Sequence, residues 1–370
     1  MTKYAVRTIT RDEHVAWVET RESVSFLQTP EWADVKREWR SEHVGWFDSA
    51  GAMVGAGLVL YRSAPVIGRS LAYLPEGPDI SWFSTEGVDA WLAPLVAHCK
   101  KHGAFSLKIG VPVVAATWSA DTIKDAIGTA PRLKDVAPDS RDERADALRA
   151  ELKRLGWKQK TADEGFGDVQ PRYVYTVTVD GKTDEELLAG FNQLWRRNVK
   201  KAEKSGVTVR MGTRADLPAF HEVYVETAER DHFRPRNLVY FERFWDALSI
   251  RNDRIRLFIA EVDGEVAAST IWVRVGRHAW YSYGASTTKH RDARPSNALQ
   301  WAMLRAARDA GCATYDLRGI SDTLNESDPL FGLIRFKLGI GGQAVEYVGE
   351  HDYAINPWIA KLFEIYLARR

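Results

Sequence analysis

The chain has 370 residues, 45% of them hydrophobic and 27% charged, with 14 tryptophans. That length is more than one core comfortably fills, so two or three domains are expected, and the composition excludes a disordered chain. Lys+Arg (51) and Asp+Glu (50) nearly cancel, so no global field draws the protein to nucleic acid or an anionic membrane, and any such binding has to come from a local patch.

Only Cys99 and Cys312 occur, far apart and without metal-ligand spacing, which argues against a disulfide framework or a zinc site. The nine histidines are scattered, and no metal or cofactor is expected. "MTKYAVRTITRDEH" carries charge where a signal peptide needs an apolar core, and no run approaches the roughly 18 apolar residues of a membrane span, so a cytoplasmic protein is expected.

In chain order, "EWADVKREW" (31–39) reads as a short amphipathic helix, and "HVGWFDS" and "MVGAGLVLYRS" as strands joined by a turn at Ser49 to Gly51. "SLAYLPEGP" (70–78) is a strand stopped by a Pro/Gly turn, "VDAWLAPLVAHCKKHG" a helix closed by Gly103, and "AFSLKIG" a buried strand. A polar stretch from about 115 to 145 precedes the helix "ADALRAELKRLGW", which ends at Gly156. A second series opens with the strand "RYVYTVTVD" (172–180) and one helix over 184–204, bounded by a Thr183/Glu186 capping box and Gly206. A strand "VTVRM" follows, then helices over 214–231 and 238–250. Three strands come next, turning at Asp263-Gly264 and Gly276-Arg277, and then a helix over 295–309 opened by Pro295 and the strand "ATYDLRG".

Each half therefore runs through helices, an antiparallel meander, a helix and another strand. The expected fold class is mixed α/β, with two similar domains over 1–171 and 172–349, the boundary falling in "GDVQPR". A last helix, about 350–370, is expected to pack back on the first domain.

Several stretches carry chemistry. In "GLIRFKLGIGG" (332–342), Lys337 sits in an apolar, glycine-punctuated run where a lysine costs free energy unless it meets a partner or a ligand. Over 184–204, Leu187, Phe191, Leu194, Trp195, Asn198, Val199 and Ala202 recur at helical spacing as a core face. They leave Arg197, Lys200, Lys201 and Lys204 together on the other face, either a phosphate-binding footprint or a solvated helix face. "VETAERDHFRPRNLVYF" mixes Arg230, Arg234 and Arg236 with aromatics, suited to bidentate phosphate contacts or to a capped helix end. "AYLPEGPDISW" forms a rigid turn whose Glu76 and Asp79 are candidate general bases. No G-x-G-x-x-G after a strand, no P-loop signature and no H-E-x-x-H occurs, so the chain is expected to receive a substrate that is already activated.

Taken in order, "SFLQTPEWADVK" (25–36), "YLPEGP" (73–78), "LWRRNVKKAEKSGV" (194–207), "ETAERDHF" (226–233), "YSYGAS" (281–286), "NALQWAMLRAARDAGCATYDLRGI" (297–320) and "GLIRFKLGIGG" resemble the Fem family of aminoacyl-tRNA-dependent peptidyltransferases. The resemblance implies two tandem GNAT-like acyltransferase domains. The helix entry "RDARPSNAL" (291–299) lacks the glycines with which ordinary GNAT proteins bind acetyl-CoA, and 205–255 has no heptads for a coiled-coil arm, as in the compact FemX-like form.

By that resemblance, Lys36 and Arg230 would hold the diphosphate of a UDP-muramyl pentapeptide or a lipid-linked peptidoglycan precursor, and Tyr283 would line the same cleft. Phe336 and Lys337 would stand near the aminoacyl-tRNA acceptor end, with Arg197, Lys200, Lys201 and Lys204 as candidates for tRNA phosphates. The implied activity is transfer of an amino acid from aminoacyl-tRNA to a stem-peptide amine in cell-wall synthesis. The alternatives are tRNA-dependent peptide-bond formation in a natural-product pathway and a CoA-dependent N-acyltransferase. No oligomer is implied.

Overall fold

The computed structural model describes residues 3–64, 68–159, 169–251 and 253–368. Gly167 and Asp168 of the expected boundary, and the last two residues of the expected terminal helix, lie outside them. The chain forms two compact units: unit 1 is Met1–Thr117, Ser140–Tyr173 and Val345–Arg370, and unit 2 is Trp118–Asp139 and Val174–Ala344.

The early elements are β1 (Ala5–Thr8), α1 (Arg11–Glu19), α2 (Trp32–Val35), β2 (Arg40–Phe47), β3 (Met53–Ser63), β4 (Ser70–Leu74), α3 (Asp89–Lys101) and β5 (Ala104–Ser119). They are followed by α4 (Ala120–Ala126), β6 (Ser140–Arg141), α5 (Glu143–Arg154) and β7 (Lys158–Gln159). The later elements are β8 (Tyr173–Thr178), α6 (Asp184–Gly190), α7 (Gln193–Lys204), β9 (Thr208–Gly212), α8 (Leu217–Arg230), α9 (Leu238–Leu248), β10 (Ile255–Val262), β11 (Glu265–Val275) and β12 (His278–Ser286). The chain closes with α10 (Pro295–Asp309), β13 (Thr314–Gly319), α11 (Phe331–Leu338), β14 (Gln343–Ala354) and α12 (Pro357–Ala368).

In unit 1, β1 to β4 form an antiparallel meander, and α3 then carries the chain across so that β5 pairs parallel with β4. Unit 2 repeats the plan: β9 to β12 are antiparallel, α10 crosses over, and β13 pairs parallel with β12. The parallel step needs a helical crossover, which is why each meander ends in a helix before its next strand. Both cores are sheet-on-helix: in unit 1 Trp46, Tyr61, Leu74 and Leu107 meet Trp91, Leu92, Leu95 and Leu148. In unit 2, α8 and α10 cover the strands, with Phe220, Trp272, Met303 and Leu304 buried.

Several local expectations change. Residues Trp118–Asp139 belong to unit 2, although 1–171 reads as one domain. Backbone hydrogen bonds tie them there: Leu133 N to Asp322 O (2.7 Å), Leu324 N to Pro131 O (2.9 Å) and Ala120 N to Gly342 O (3.0 Å). The end of the chain is a strand before it is a helix, so α12 begins at Pro357 and not near 350. Its Ile359, Ala360 and Phe363 pack on Ala64 and Phe105, while Trp358 and Leu362 are exposed. The helix expected over 31–39 is only α2. The single helix expected over 184–204 is two, because Asn192 caps a fresh start by accepting from Trp195 N at 2.9 Å. That break resets the helical phase, and Leu194, expected in the core, is 62% exposed. The longest described helix, α10, has 15 residues, so the described residues contain no coiled-coil arm.

Candidate active site

Lys337 lies on the last turn of α11 and is buried, with 3% of its surface exposed. Its Nζ donates to three backbone carbonyls at the end of β13: Leu317 O (2.7 Å), Gly319 O (2.7 Å) and Arg318 O (3.3 Å). An ammonium has three protons to give, so this cage satisfies it without a carboxylate. The carbonyls converge because the chain bends sharply at Arg318, which adopts a left-handed φ of 62° and whose N–H is held by Asp316 Oδ1 at 2.5 Å. Burial pulls the lysine down from 10.5 to about 7, the Asp316 charge opposes this, and Arg318 adds to it. Burial pushes Asp316 up, but His278, 3.4 Å away, and Arg318 more than offset that and hold the carboxyl below its usual range. Site and sheet are thus coupled: the lysine's carbonyl cage is the C-terminal end of β13, in the turn that Asp316 fixes through the Arg318 N–H.

Phe336 presents its ring to Trp195 at 4.8 Å between centroids, and its carbonyl accepts the Trp195 indole N–H at 2.9 Å. The glycines after Lys337 follow from that contact. A Cβ on Gly339 would lie 1.8 Å from the Trp195 ring, one on Gly341 2.4 Å from Gly190 O, and one on Gly342 2.2 Å from Thr176 O. "GIGG" is therefore the surface on which α6, α7 and β8 lock the lysine-bearing helix, and Phe336 packs on Trp195 within it.

Elsewhere in unit 2, Arg230 at the end of α8 donates to Ser286 O (2.8 Å) and to its neighbour Asp231 (2.9 Å). Thr227 and Ser286 exchange hydrogen bonds as well, which fastens α8 to the end of β12. Tyr283, three residues earlier on β12, is walled by Tyr224, Tyr240, Phe241 and Phe244, and its hydroxyl meets that of Tyr240 at 2.9 Å. Arg236 sits over the Tyr240 ring at 4.4 Å, and the phenols favour its charge against burial. The structure thus joins "ETAERDHF" to "YSYGAS" through Thr227, Arg230 and Ser286, and sets Arg236 beside Tyr240 and Tyr283. Arg197, Lys200, Lys201 and Lys204 are all exposed along α7.

In unit 1 the first two matching stretches interlock. Gln28 donates to Pro75 O (2.8 Å) and accepts from Leu58 N (2.9 Å), Ser25 donates to Glu76 (2.5 Å), and a Cβ on Gly77 would meet Gln28 at 2.5 Å. Lys36 follows at the end of α2, half-buried, 5.8 Å from the Trp32 ring centre and 3.8 Å from Glu38. The candidate bases have structural duties. Glu76 receives Ser25, and Asp79 receives the Trp17 indole (2.7 Å) and Arg21 (2.9 Å), with burial pushing its pKa up.

Sequence reasoning missed a buried cluster in this unit. Lys108 on β5 pairs with Asp352 (2.9 Å) and Glu350 (3.5 Å) of β14, and Glu350 also receives the Tyr73 hydroxyl and the backbone N–H of Val169 (2.9 Å). Burial and the carboxylate raise the Tyr73 phenol well above its ordinary value. The signal was a lysine inside "AFSLKIG", a stretch read only as a buried strand.

The FemAB family profile matches residues 9–267 and 251–367. The chain belongs to the FemAB family. It is similar to the lipid II:glycine glycyltransferases of Staphylococcus epidermidis (25% identical over 420 aligned positions, covering 96% of this chain and 94% of the relative) and Staphylococcus aureus (26% over 426, with the same coverage). In fold it resembles the crystal structure of FemX (TM-score 0.79, 24% identity, 96% and 99% coverage). It also resembles a tandem GNAT protein from the clavulanic acid biosynthesis pathway (TM-score 0.52, 13% identity, 95% and 98% coverage). The chain is accordingly an aminoacyltransferase with two GNAT-like units. No described helix is long and apolar enough to cross a membrane.

Proposed function

We propose that this protein transfers an amino acid from aminoacyl-tRNA to the amine of a peptidoglycan-precursor stem peptide. The observation that carries the reading is Lys337, a lysine held dry in unit 2 within a stretch that resembles the family's Phe-Lys pair. The near full-length similarity to glycyltransferases of lipid II supports a lipid-linked acceptor over a nucleotide-linked one.

The ester of an aminoacyl-tRNA is already activated, so the enzyme has to position the amine and stabilise the oxyanion. The amine nitrogen bonds to the ester carbonyl carbon, the bond to the ribose oxygen breaks, and the proton lost by the amine balances the one the ribose oxygen gains. With all three of its N–H groups on carbonyls, the protonated form of Lys337 contributes a positive charge held in place and the clamp on the 317–319 turn. Removing such a charge from a water-poor site costs about 10² to 10³ in rate. Lys36 and Arg230 are assigned to the acceptor's diphosphate, Tyr283 to its cleft, and the exposed α7 cations to tRNA phosphates. If that last assignment is right, tRNA affinity falls steeply with salt; a flat response removes it.

The deciding experiment incubates the protein with charged tRNA and either lipid-linked or UDP-linked muramyl pentapeptide, with and without ribonuclease, and reads product mass. A one-residue increment abolished by ribonuclease supports the reading. A ribonuclease-insensitive, acetyl-CoA-dependent product overturns it.

A further inference from the structure

A second site lies wholly in unit 1 and is independent of the transfer reading. His98 and His102 stand one turn apart at the C-terminal end of α3, their rings 4.2 Å apart, and both point Nε2 at Glu42 on β2. His98 Nε2 is 3.0 Å and His102 Nε2 3.7 Å from Glu42 Oε1, and the three donor atoms lie within 4.8 Å of one another. Two ligands of a tetrahedral zinc ion, each about 2.0–2.1 Å from the metal, stand about 3.3 Å apart, so the two distances to Glu42 bracket what such an ion requires.

The surroundings are those of ligands held for a cation. His102 Nδ1 meets the carbonyl of His98 at 2.9 Å, which places the proton on Nδ1 and the lone pair on Nε2, towards Glu42. Tyr61 donates to Glu42 Oε2 at 2.8 Å and Thr8 donates to Oε1, so the carboxylate is oriented by hydrogen bonds of its own. Glu42 and His98 are 8% exposed at the side chain, and His102 is 33% exposed, which leaves one side open to water. Arg40 also faces the cluster and is engaged by the Tyr61 ring (3.6 Å) and the His102 carbonyl (3.1 Å).

We infer that Glu42, His98 and His102 form a zinc-binding site, with three protein ligands and water completing the tetrahedron on the His102 side. The metal ties β2 to the end of α3 and so acts on the stability of unit 1. An imidazole pair one helical turn apart plus a dry carboxylate is a borderline-soft donor set, which favours zinc over magnesium or calcium.

The test uses the full chain, stripped with a chelator and titrated with Zn²⁺ against a chromophoric competitor, beside His102→Ala, a change at the most exposed ligand. The expected result is one equivalent bound by the wild type, a rise in its thermal midpoint with added Zn²⁺, and at least about tenfold weaker binding in the variant. Cobalt substitution in the wild type is expected to give the visible bands of a tetrahedral ion, a readout that does not depend on how the variant folds. Failure of the wild type to take up one equivalent, cobalt spectra of an octahedral aquo-like ion, or equal binding by a folded variant would each overturn the site.

Discussion

Unit 1 and unit 2 each bury a lysine, and they do so by opposite means. Lys108 is compensated by charge, through Asp352 at 2.9 Å and Glu350 at 3.5 Å. Lys337 is compensated by dipoles, through three carbonyls of one turn. A charge pair locks both partners into ionised forms, and removing one strands the other. A carbonyl cage holds an ammonium without neutralising it, so its field survives for a ligand to use. That difference supports the proposed role of Lys337 in transfer, whereas Lys108 serves the architecture of unit 1.

The comparison breaks most readily at Lys108. Replacing it with Met takes the Lys108 charge away from buried Glu350 and half-buried Asp352, which is expected to cost about 3–5 kcal/mol of stability in denaturant unfolding. Lys337→Met is expected to cost far less, because the freed carbonyls lose a donor and no charge is stranded. Equal losses in the two variants would erase the distinction.

Gly339→Ala sharpens it from the packing side. A methyl 1.8 Å from the Trp195 ring forces α11 away from α7, with an expected loss of about 1–3 kcal/mol and a matching loss of turnover. Trp195→Ala in the same background is expected to restore part of both, by opening the space.

The smallest effect is in pH. The folded protein holds Lys337 at about 7 and the unfolded chain at 10.5, so between those values the unfolded state binds more protons. The penalty for burying the ammonium is therefore complete below about 7 and is relieved as pH rises towards 10.5, so wild type is expected to gain stability relative to Lys337→Met across that window. A difference independent of pH would mean that the carbonyl cage restores the ordinary lysine value.

What the sequence revealed and what it hid divide along physical lines. Turn glycines, capping residues and strand alternation are local, and so Thr183 with Glu186, the Asp263-Gly264 hairpin and the helix opened by Pro295 were all legible. Lys337 announced itself because a charge inside an apolar run is costly wherever it lands. Its partners did not, since backbone carbonyls leave no mark in a side-chain pattern. The break at Asn192 was hidden by a helical periodicity that continues on both sides of it, and with it the exposure of Leu194. Lys108 with Glu350 and Asp352, and Glu42 with His98 and His102, are assembled across more than 50 residues of chain, the first by strand neighbours in the sheet and the second by packing of α3 on β2. The spacing of His98 and His102 was the one local trace of the second cluster.

The most direct test of the account is single-turnover transfer from charged tRNA by Lys337→Ala at saturating acceptor, with melting measured on the same sample. The account predicts turnover about 10² to 10³ lower, acceptor affinity nearly unchanged and the variant still folded. A folded variant that transfers at the wild-type rate would contradict it.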